Sequence, residues 1–248
     1  MSRYYYDLHL HSCLSPCADD DMTPANIAGM ASLCGLQLLA LTDHNTCGNC
    51  GAFLTACRQY GIVGVPGMEL TTAEEIHLVC LFPTLEAAES FDRDVQAARL
   101  PIKNKPAVFG NQLYMDAEDR VLGEEPYLLI PATRLSLEEG AALALSHGGA
   151  VFPAHIDRPS NGIIGILGDL PDRPFFPVLE LNDRENLETY REKYGLQDRR
   201  LLCSSDAHRL ESMRDACPYL DLEDEPYSSQ RVRDALIGLL RSGVNSEE

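Results

Sequence analysis

Short apolar runs alternate with longer amphipathic stretches along most of the chain. The apolar runs predict buried strands at residues 3–10, 37–42, 61–65, 76–82, 149–154, 177–182 and 200–204. The helical spacings predict helices at 24–34, 51–60, 84–99, 136–147, 184–194 and 229–241. Thr23 and Pro24 mark the first helix start, as a cap residue and a first-turn proline. This alternation predicts an α/β fold with a parallel sheet that can close into a barrel.

The alternation breaks after the amphipathic segment 84–99. Residues 101–134 carry scattered prolines and a hairpin-like segment from Tyr114 to Leu122 with acidic turn residues, but no clear strand-helix unit. Regular alternation then resumes. We therefore predict one domain over residues 1–248, in which residues 84–134 form an inserted lid or subdomain.

Six of the seven histidines stand beside predicted strand ends, next to carboxylates. In the first strand, alternate side chains share a face, so Asp7, His9 and His11 would point the same way. Two imidazoles about 7 Å apart along a strand can converge on one metal ion. Asp7 could orient one of these ligands through a hydrogen bond.

The same arrangement recurs at five later positions. Each position follows or ends an apolar run: Asp43-His44, Glu69, His77, His155 and Asp206-x-His208. In a parallel barrel the carboxyl ends of the strands form one face, which is where active sites lie. The pattern therefore predicts one polar cluster at that face.

This ordered set resembles the PHP family, the polymerase and histidinol phosphatase domain. The shared motifs are His9-x-His11, Thr42-Asp43-His44, Glu69, His77, His155 and Ser205-Asp206-Ala207-His208. The resemblance extends over nearly the whole chain, with residues 84–134 outside the core pattern. It implies a distorted (β/α)₇ TIM-like barrel, a trinuclear metal centre and phosphoester hydrolysis.

The resemblance also implies how the ligands divide among the metals. The first metal would take His9, His11, Glu69 and Asp206. The second would share Glu69 as a bridge and add His77 and His155. The third would use His44, His208 and a carboxylate from the loop after the first strand.

The loop that would supply this carboxylate departs from the family pattern. The family commonly has Ser-Asp-Gly-x-x-Thr-Pro, whereas residues 17–24 here are Cys-Ala-Asp-Asp-Asp-Met-Thr-Pro. Counting back from Thr-Pro selects Asp19, with Asp20 as its substitute. Alternatively, the acidic run only stabilises the start of the following helix.

Imidazole and carboxylate ligands suit zinc, manganese or iron, and ligand type alone does not separate these metals. We expect two or three divalent ions, and a metal-bound hydroxide that attacks phosphorus. Glu69, Asp206 and His208 are the predicted catalytic residues. Arg158 is a further candidate, since its planar guanidinium could bind the substrate phosphate, although it could instead form a surface salt bridge.

Several other polar residues have weaker signals. Arg134 is a second candidate for phosphate binding, and Asn182 ends a strand that could line the pocket. His147 is predicted to end a helix outside the site. Cys47 and Cys50 form a CxxC spacing without a second pair, which favours ordinary thiols over a zinc or redox site.

The net charge bears on the substrate. Asp and Glu number 38 against 20 Lys and Arg, which gives a formal charge of −18 and no basic run. A polymer binder gains affinity by neutralising several phosphates, so this composition disfavours long nucleic acid. Bound cations could still reverse the field in one cleft. We predict a small phosphorylated substrate, such as a nucleotide-like monoester or short diester.

No run of about 18 apolar residues and no signal-like start is present, which predicts no membrane span or secretion. Nine irregularly spaced cysteines fit reduced thiols, so we expect a cytoplasmic protein.

Two other functions remain open. An amidohydrolase-like metal hydrolase usually needs a carboxylated lysine, but Lys103, Lys105 and Lys193 stand at no predicted strand end. A non-catalytic metal-binding accessory module should lack ligands, whereas all core motif positions are filled.

Overall fold

The computed structural model describes residues 1–242. Its strands are β1 (Ser2–Asp7), β2 (Leu38–Leu41), β3 (Val63–Thr71), β4 (His77–Leu81), β5 (Leu113–Met115), β6 (Val121–Glu124), β7 (Ala150–Pro153), β8 (Val178–Leu181), β9 (Arg200–Cys203) and β10 (Tyr219–Leu222). Its α-helices are α1 (Pro24–Leu33), α2 (Cys50–Gln59), α3 (Leu85–Ala98), α4 (Pro106–Phe109), α5 (Leu137–Ser146), α6 (Ile163–Leu167), α7 (Leu187–Lys193) and α8 (Ser229–Ser242).

Six strands form one curled sheet in the order β10-β1-β2-β3-β4-β7, and β8 pairs with β9 in a separate two-stranded sheet. Only the pairs β1-β2, β2-β3 and β8-β9 are parallel among the strand pairs of residues 1–242. β4 runs antiparallel to both β3 and β7, and β10 runs antiparallel to β1. The expected parallel sheet is therefore mixed, because the short turn between β3 and β4 joins them as a hairpin.

Single backbone hydrogen bonds connect the two sheets near the strand ends. Ile156, after β7, donates to the carbonyl of Glu180 on β8 at 2.8 Å. His11, after β1, donates to the carbonyl of Ala207 after β9 at 3.1 Å. The fold is α/β as predicted, and the regular seven-unit barrel stays a prediction.

Both faces of the central strand β2 are buried. Leu38 and Ala40 of β2 belong to one apolar cluster, together with side chains of α8. Leu39 and Leu41 belong to the other, together with side chains of α1, α2 and α3. A strand that is covered on both faces has no polar positions to alternate, which explains why its sequence is a continuous apolar run.

The helix starts follow their capping residues. The Thr23 side chain accepts a hydrogen bond from Asn26 N, and Pro24 occupies the first turn of α1. Ser136 and Glu139 form a reciprocal capping box at α5. These local signals placed most helices within one or two residues of the prediction. Three short elements, α4, α6 and β10, were not predicted, because none of them is long enough to show a period.

The predicted insertion contains a short helix, α4, and the β5-β6 hairpin. The hairpin packs on the loop that follows β1, since Leu113 N donates to the carbonyl of Cys13 at 2.9 Å. At the hairpin turn, Asp119 accepts from the hydroxyl of Thr23 at 2.7 Å. The insertion therefore supports the loop after β1, and its role as a lid stays a prediction. Within residues 1–242, no helix combines the length and the apolar character that a membrane span requires.

Candidate metal centre

The first two histidines lie just beyond β1, not on it. The predicted strand 3–10 ends at Asp7, whose carboxylate accepts from the backbone N–H of His9 at 3.4 Å and of Ser205 at 3.1 Å. This local side-chain contact competes with the strand ladder, and it ties the end of β1 to the end of β9. His9 and His11 still converge, with their Nε2 atoms 3.3 Å apart.

Glu69 on β3 lies at the middle of the histidine cluster, and its side chain is 1% exposed. Its Oε1 atom is 3.1 Å from His9 Nε2 and 2.8 Å from His77 Nδ1. The same oxygen is 3.2 Å from His155 Nε2. One carboxylate oxygen thus faces three imidazoles that come from three different strand ends.

The second oxygen of Glu69 faces two further imidazoles. Oε2 is 2.9 Å from His44 Nδ1 and 3.4 Å from His11 Nε2. Despite the short distance, His44 Nδ1 has no hydrogen-bond partner of suitable direction within residues 1–242. Atoms that approach closely without hydrogen-bonding are expected where both face a shared cation.

Asp206, after β9, is the second carboxylate of the cluster. Its Oδ1 atom is 3.3 Å from His9 Nε2 and 3.1 Å from His11 Nε2, yet it has no hydrogen-bond partner among residues 1–242. The backbone of Asp206 has φ +51° and that of His155 has φ +30°, in the left-handed region that such residues rarely adopt. Strain of this kind concentrates at functional sites, where the surroundings impose it.

Three groups of side chains have their ligand atoms within 4.8 Å of one another: His9-His11-Asp206, His44-Glu69-His77 and His11-His44-His208. His44, Glu69, His77, Asp206 and His208 of these groups border an open cavity of about 130 Å³, which is also lined by His155, Arg158, Ser160 and Asn161. Imidazole and carboxylate donors that are buried without partners are costly unless a cation satisfies them. The donor set therefore fits divalent metal ions.

The buried charges of the cluster depend on one another. Burial would raise the pKa of Glu69, but His77 and His9 hold it well below its usual range. Burial would lower the pKa of His44, but the Glu69 carboxylate raises it well above its usual value. Without cations, the carboxylates would thus retain protonated imidazoles beside them. A bound cation would supply the same positive charge and leave the imidazoles neutral.

Glu180 on β8 is a functional candidate that sequence reasoning missed. Its Oε2 atom accepts from His9 Nδ1 at 2.8 Å, so it fixes the ring with Nε2 directed at Glu69 and Asp206. The side chain is 2% exposed. The available signal was a carboxylate within the apolar strand Val-Leu-Glu-Leu, where a charge needs a partner.

Asp43 has a similar supporting role for the loop after β1. Its carboxylate accepts from Ser12 N at 2.7 Å, from Ser12 Oγ at 2.6 Å and from Ser15 Oγ at 2.7 Å. Ser15 Oγ in turn contacts His11 Nδ1 at 3.0 Å and the N–H of His44 at 3.2 Å. Asp43 therefore orders the loop and orients two imidazoles through Ser15.

The predicted loop carboxylates lie away from the cluster. Asp19 is 48% exposed and is 3.7 Å from Arg209 Nε, and Asp20 accepts from the side-chain amide of Asn111 at 2.7 Å. Neither belongs to the three groups of the described chain. Their role as ligands stays a prediction.

Cys17, in the same loop, is exposed and belongs to none of these groups of the described chain either. Burial raises the pKa of its thiol, but the imidazoles of His44 and His208 lower it to about 6.

Arg158 borders the cavity and bonds to the cluster. Its Nη1 atom is 2.5 Å from Asp206 Oδ2, and its Nη2 atom donates to Asn182 Oδ1 at 2.8 Å. Asn182 thus holds Arg158, and does not belong to the residues that line the cavity. Arg134 is bound through its backbone N–H to the carbonyl of Ala98, and does not line the cavity either.

The remaining sequence candidates lie elsewhere. His147 caps the end of α5, and its Nε2 atom is 2.9 Å from Asp94 Oδ2. It therefore lies outside the site, as predicted. Cys47 and Cys50 are buried in the core, where their Sγ atoms are 3.2 and 3.4 Å from the carbonyl of Gly67. Ordinary thiols account for this pair.

Residues 7–137, more than half of the 248-residue chain, match the PHP domain model. The chain belongs to the PHP domain family. Within the matched segment lie His9, His11, His44, Glu69 and His77. No curated protein matches the chain in sequence.

Solved structures with the same fold include PfuEndoQ, a lesion-specific endonuclease from Pyrococcus furiosus. It is 19% identical, with a TM-score of 0.60, and the match covers 96% of this chain but 56% of that chain. A Bifidobacterium adolescentis protein described as a candidate metal-dependent phosphoesterase is 20% identical, with a TM-score of 0.52 and 97% of both chains covered. An amidohydrolase from Chromobacterium violaceum, solved with sulfate, is 19% identical, with a TM-score of 0.53 and 93% and 96% covered.

One of these relatives corrects the prediction against nucleic acid. Endonuclease Q, in a structure with a TM-score of 0.60 to this chain, holds a 27-mer duplex with an abasic lesion at its active site. The argument from net charge was therefore wrong, because charge summed over a chain does not describe one cleft. This chain spans 57% of that endonuclease Q chain.

Proposed function

We propose that this PHP protein is a metal-dependent phosphoesterase. The observation that carries the proposal is the convergence of five imidazoles on Glu69, with unpartnered nitrogen and oxygen atoms facing one another. The proposed ligands are His9, His11, His44, Glu69, His77, His155, Asp206 and His208. Two or three divalent ions of zinc, manganese or iron would fit this set.

When bound, such ions polarise phosphoryl oxygens and lower the pKa of a bound water. The chain's own residues determine where this occurs. Glu69 presents one oxygen to each side of the cluster, so it is the proposed bridge between two ions. Glu180 and Ser15 hold the rings of His9 and His11, which keeps the ligand atoms directed inward.

Arg158 is the proposed phosphate-binding residue. Its side chain is 38% exposed and lies at the border of the cavity, within reach of a ligand. Its guanidinium is held by Asp206 and Asn182 on one side, so its remaining N–H groups are free to contact an anion. A phosphoester would then lie between Arg158 and the cluster.

The open cavity of about 130 Å³ has room for one phosphoryl group, with the rest of the substrate directed to solvent. That group can belong to a nucleotide-like monoester or short diester, or to one phosphodiester of a nucleic acid. The second substrate class is favoured by the fold shared with endonuclease Q. The fold shared with the amidohydrolase would favour amide hydrolysis. Amidohydrolase sites usually need a carboxylated lysine, however, and all three lysines here are exposed and lie on the insertion and α7.

The test uses full-length protein stripped of metal and reloaded separately with zinc, manganese and iron. Each form is incubated with 4-nitrophenyl phosphate, bis(4-nitrophenyl) phosphate, 4-nitroacetanilide and an abasic-site duplex. We expect metal-dependent release from at least one phosphoester. Cleavage of the anilide alone would contradict the proposal, and cleavage of the duplex alone would assign the substrate to nucleic acid.

A further inference from the structure

The segment between β7 and α6, residues 155–162, forms one wall of the cavity. We call it the Arg158 loop. It supplies four of the nine residues that line the cavity: His155, Arg158, Ser160 and Asn161. Because Arg158 is the proposed phosphate-binding residue, the conformation of this loop determines where the guanidinium meets an anion.

Asn161 ties one end of the Arg158 loop to the metal centre. Its carbonyl accepts from the N–H of His77 at 2.9 Å, and its side-chain amide donates to the carbonyl of Glu75 at 2.9 Å. Its φ is +61°, in the left-handed region that asparagine adopts more readily than most residues. Asn161 therefore fixes the loop relative to the first residue of β4, a proposed metal ligand.

Asp157 ties the loop to the segment that follows β8. Its carboxylate accepts from the backbone N–H groups of Asn182 at 2.8 Å and Asp183 at 3.0 Å. It also accepts from the side-chain amide of Asn186 at 3.0 Å. Asn182 is the residue whose Oδ1 accepts from Arg158 Nη2 at 2.8 Å. Asp157 thus fixes the residue that holds the guanidinium.

Between these two contacts the loop folds closely on itself. The N–H of Arg158 donates to the carbonyl of His155 at 2.8 Å. A Cβ atom at Gly162 would lie 2.5 Å from the carbonyl oxygen of Arg158 and 2.8 Å from that of His155. The backbone of Arg158 is therefore confined by packing, while its side chain is confined by Asp206 and Asn182.

We propose that Asn161 and Asp157 are positioning residues for phosphate binding, and that both act through Arg158. This inference rests on the proposed phosphoesterase function and deepens it. A free arginine side chain loses rotamer freedom when it binds an anion, and a side chain that is already held loses less. This difference corresponds to roughly two- to tenfold in affinity for the anion.

The experiment is a double-mutant cycle on full-length, zinc-loaded protein freed of excess zinc. The binding of inorganic phosphate is measured by calorimetry, which needs no turnover. Asn161→Gly removes the side-chain amide but keeps the carbonyl and tolerates the positive φ. We expect it to weaken phosphate binding by roughly two- to tenfold. In the Arg158→Ala background the same change should weaken binding by less than about twofold, because residues that act through one partner are not additive.

Asp157→Asn is the second variant and should show the same dependence on Arg158. Asn111→Gly is the matched control, since its side-chain amide donates to Asp20 at 2.7 Å, outside the cavity. It should leave phosphate affinity unchanged.

The outcomes separate this inference from the proposed function. Equal weakening with and without Arg158, or no weakening in either background, would make Asn161 and Asp157 packing residues and leave the phosphoesterase proposal intact. A wild type that hydrolyses a phosphoester but binds no phosphate would also overturn this inference alone. A wild type that does neither, with any of the three metals, would overturn both.

Discussion

The two halves of the metal centre are held in different ways. The inner half, defined by His9, His11 and Glu69, has side chains that are 0–1% exposed and lie just after β1 and on β3. The outer half, defined by His44 and His208, includes the 26%-exposed ring of His208. The inner half is thus fixed by the sheet, and the outer half by loop contacts.

This difference predicts how each half responds to substitution. Each ligand in the inner half contacts other buried charged side chains. Its loss therefore leaves those side chains buried without a partner. A ligand in the outer half can be replaced by solvent at lower cost. Changes in the inner half should therefore affect metal binding and turnover together, whereas those in the outer half should affect a single ion.

The largest effect is expected for Glu69→Gln. The substitution removes the negative charge that Glu69 presents to both sides of the cluster. Metal activation contributes several kcal/mol to such reactions, which corresponds to roughly 100- to 1000-fold in rate. We expect that loss in kcat, together with reduced metal content by elemental analysis. Glu125→Gln, a buried glutamate of the insertion, is the control. Near-normal turnover with full metal content would show that the bridge lies elsewhere.

The second-largest effect is expected for Glu180, which supports the inner half through its hydrogen bond to His9. Glu180→Gln keeps the shape but weakens the charge-assisted bond to His9 Nδ1, which is 2.8 Å long. Residues that orient metal ligands typically contribute about 10- to 100-fold to metal affinity or activity. A zinc titration monitored with a competing chelator should show weaker binding in that range. Unchanged zinc affinity would make Glu180 a packing residue.

A comparable or smaller effect is expected at the border of the cavity. Arg158→Ala should raise KM for the active phosphoester by roughly 10- to 100-fold, since a charge-assisted hydrogen bond contributes about 1.5–3 kcal/mol. Metal content should change little, because Arg158 only contacts one ligand. Arg134→Ala serves as the comparison and should leave KM unaltered. If both variants behave alike, Arg158 does not bind substrate.

The same division explains what the sequence could predict. The inner half follows from motif spacing, because buried apolar strands determine where His9, Glu69 and Asp206 must end up. The antiparallel pairing of β4 was not foreseen, since a strand covered on both faces looks the same in either direction. Glu180 escaped notice because one carboxylate in an apolar strand carries no motif.

The outer half was harder to predict for a physical reason. The path of the loop over residues 17–21 depends on hydrogen bonds that Asp43 accepts and on packing by the insertion, both distant in sequence. Counting back from Thr23-Pro24 selects Asp19 only if the loop has the same length and path as in the family. The absent glycine was the visible sign that the path differs.

The smallest effect is therefore expected for Asp19→Asn. Asp19 is 48% exposed and faces Arg209 at 3.7 Å, and a surface ion pair of this kind contributes at most about 1 kcal/mol. We expect metal stoichiometry, zinc affinity and kcat/KM within about twofold of the wild type, and a small change in Tm. Elemental analysis beside Glu69→Gln makes the comparison direct, since Glu69 lies within the cluster and Asp19 lies outside it. Loss of a bound ion in Asp19→Asn would make the aspartate a ligand and show that the loop rearranges when metal binds.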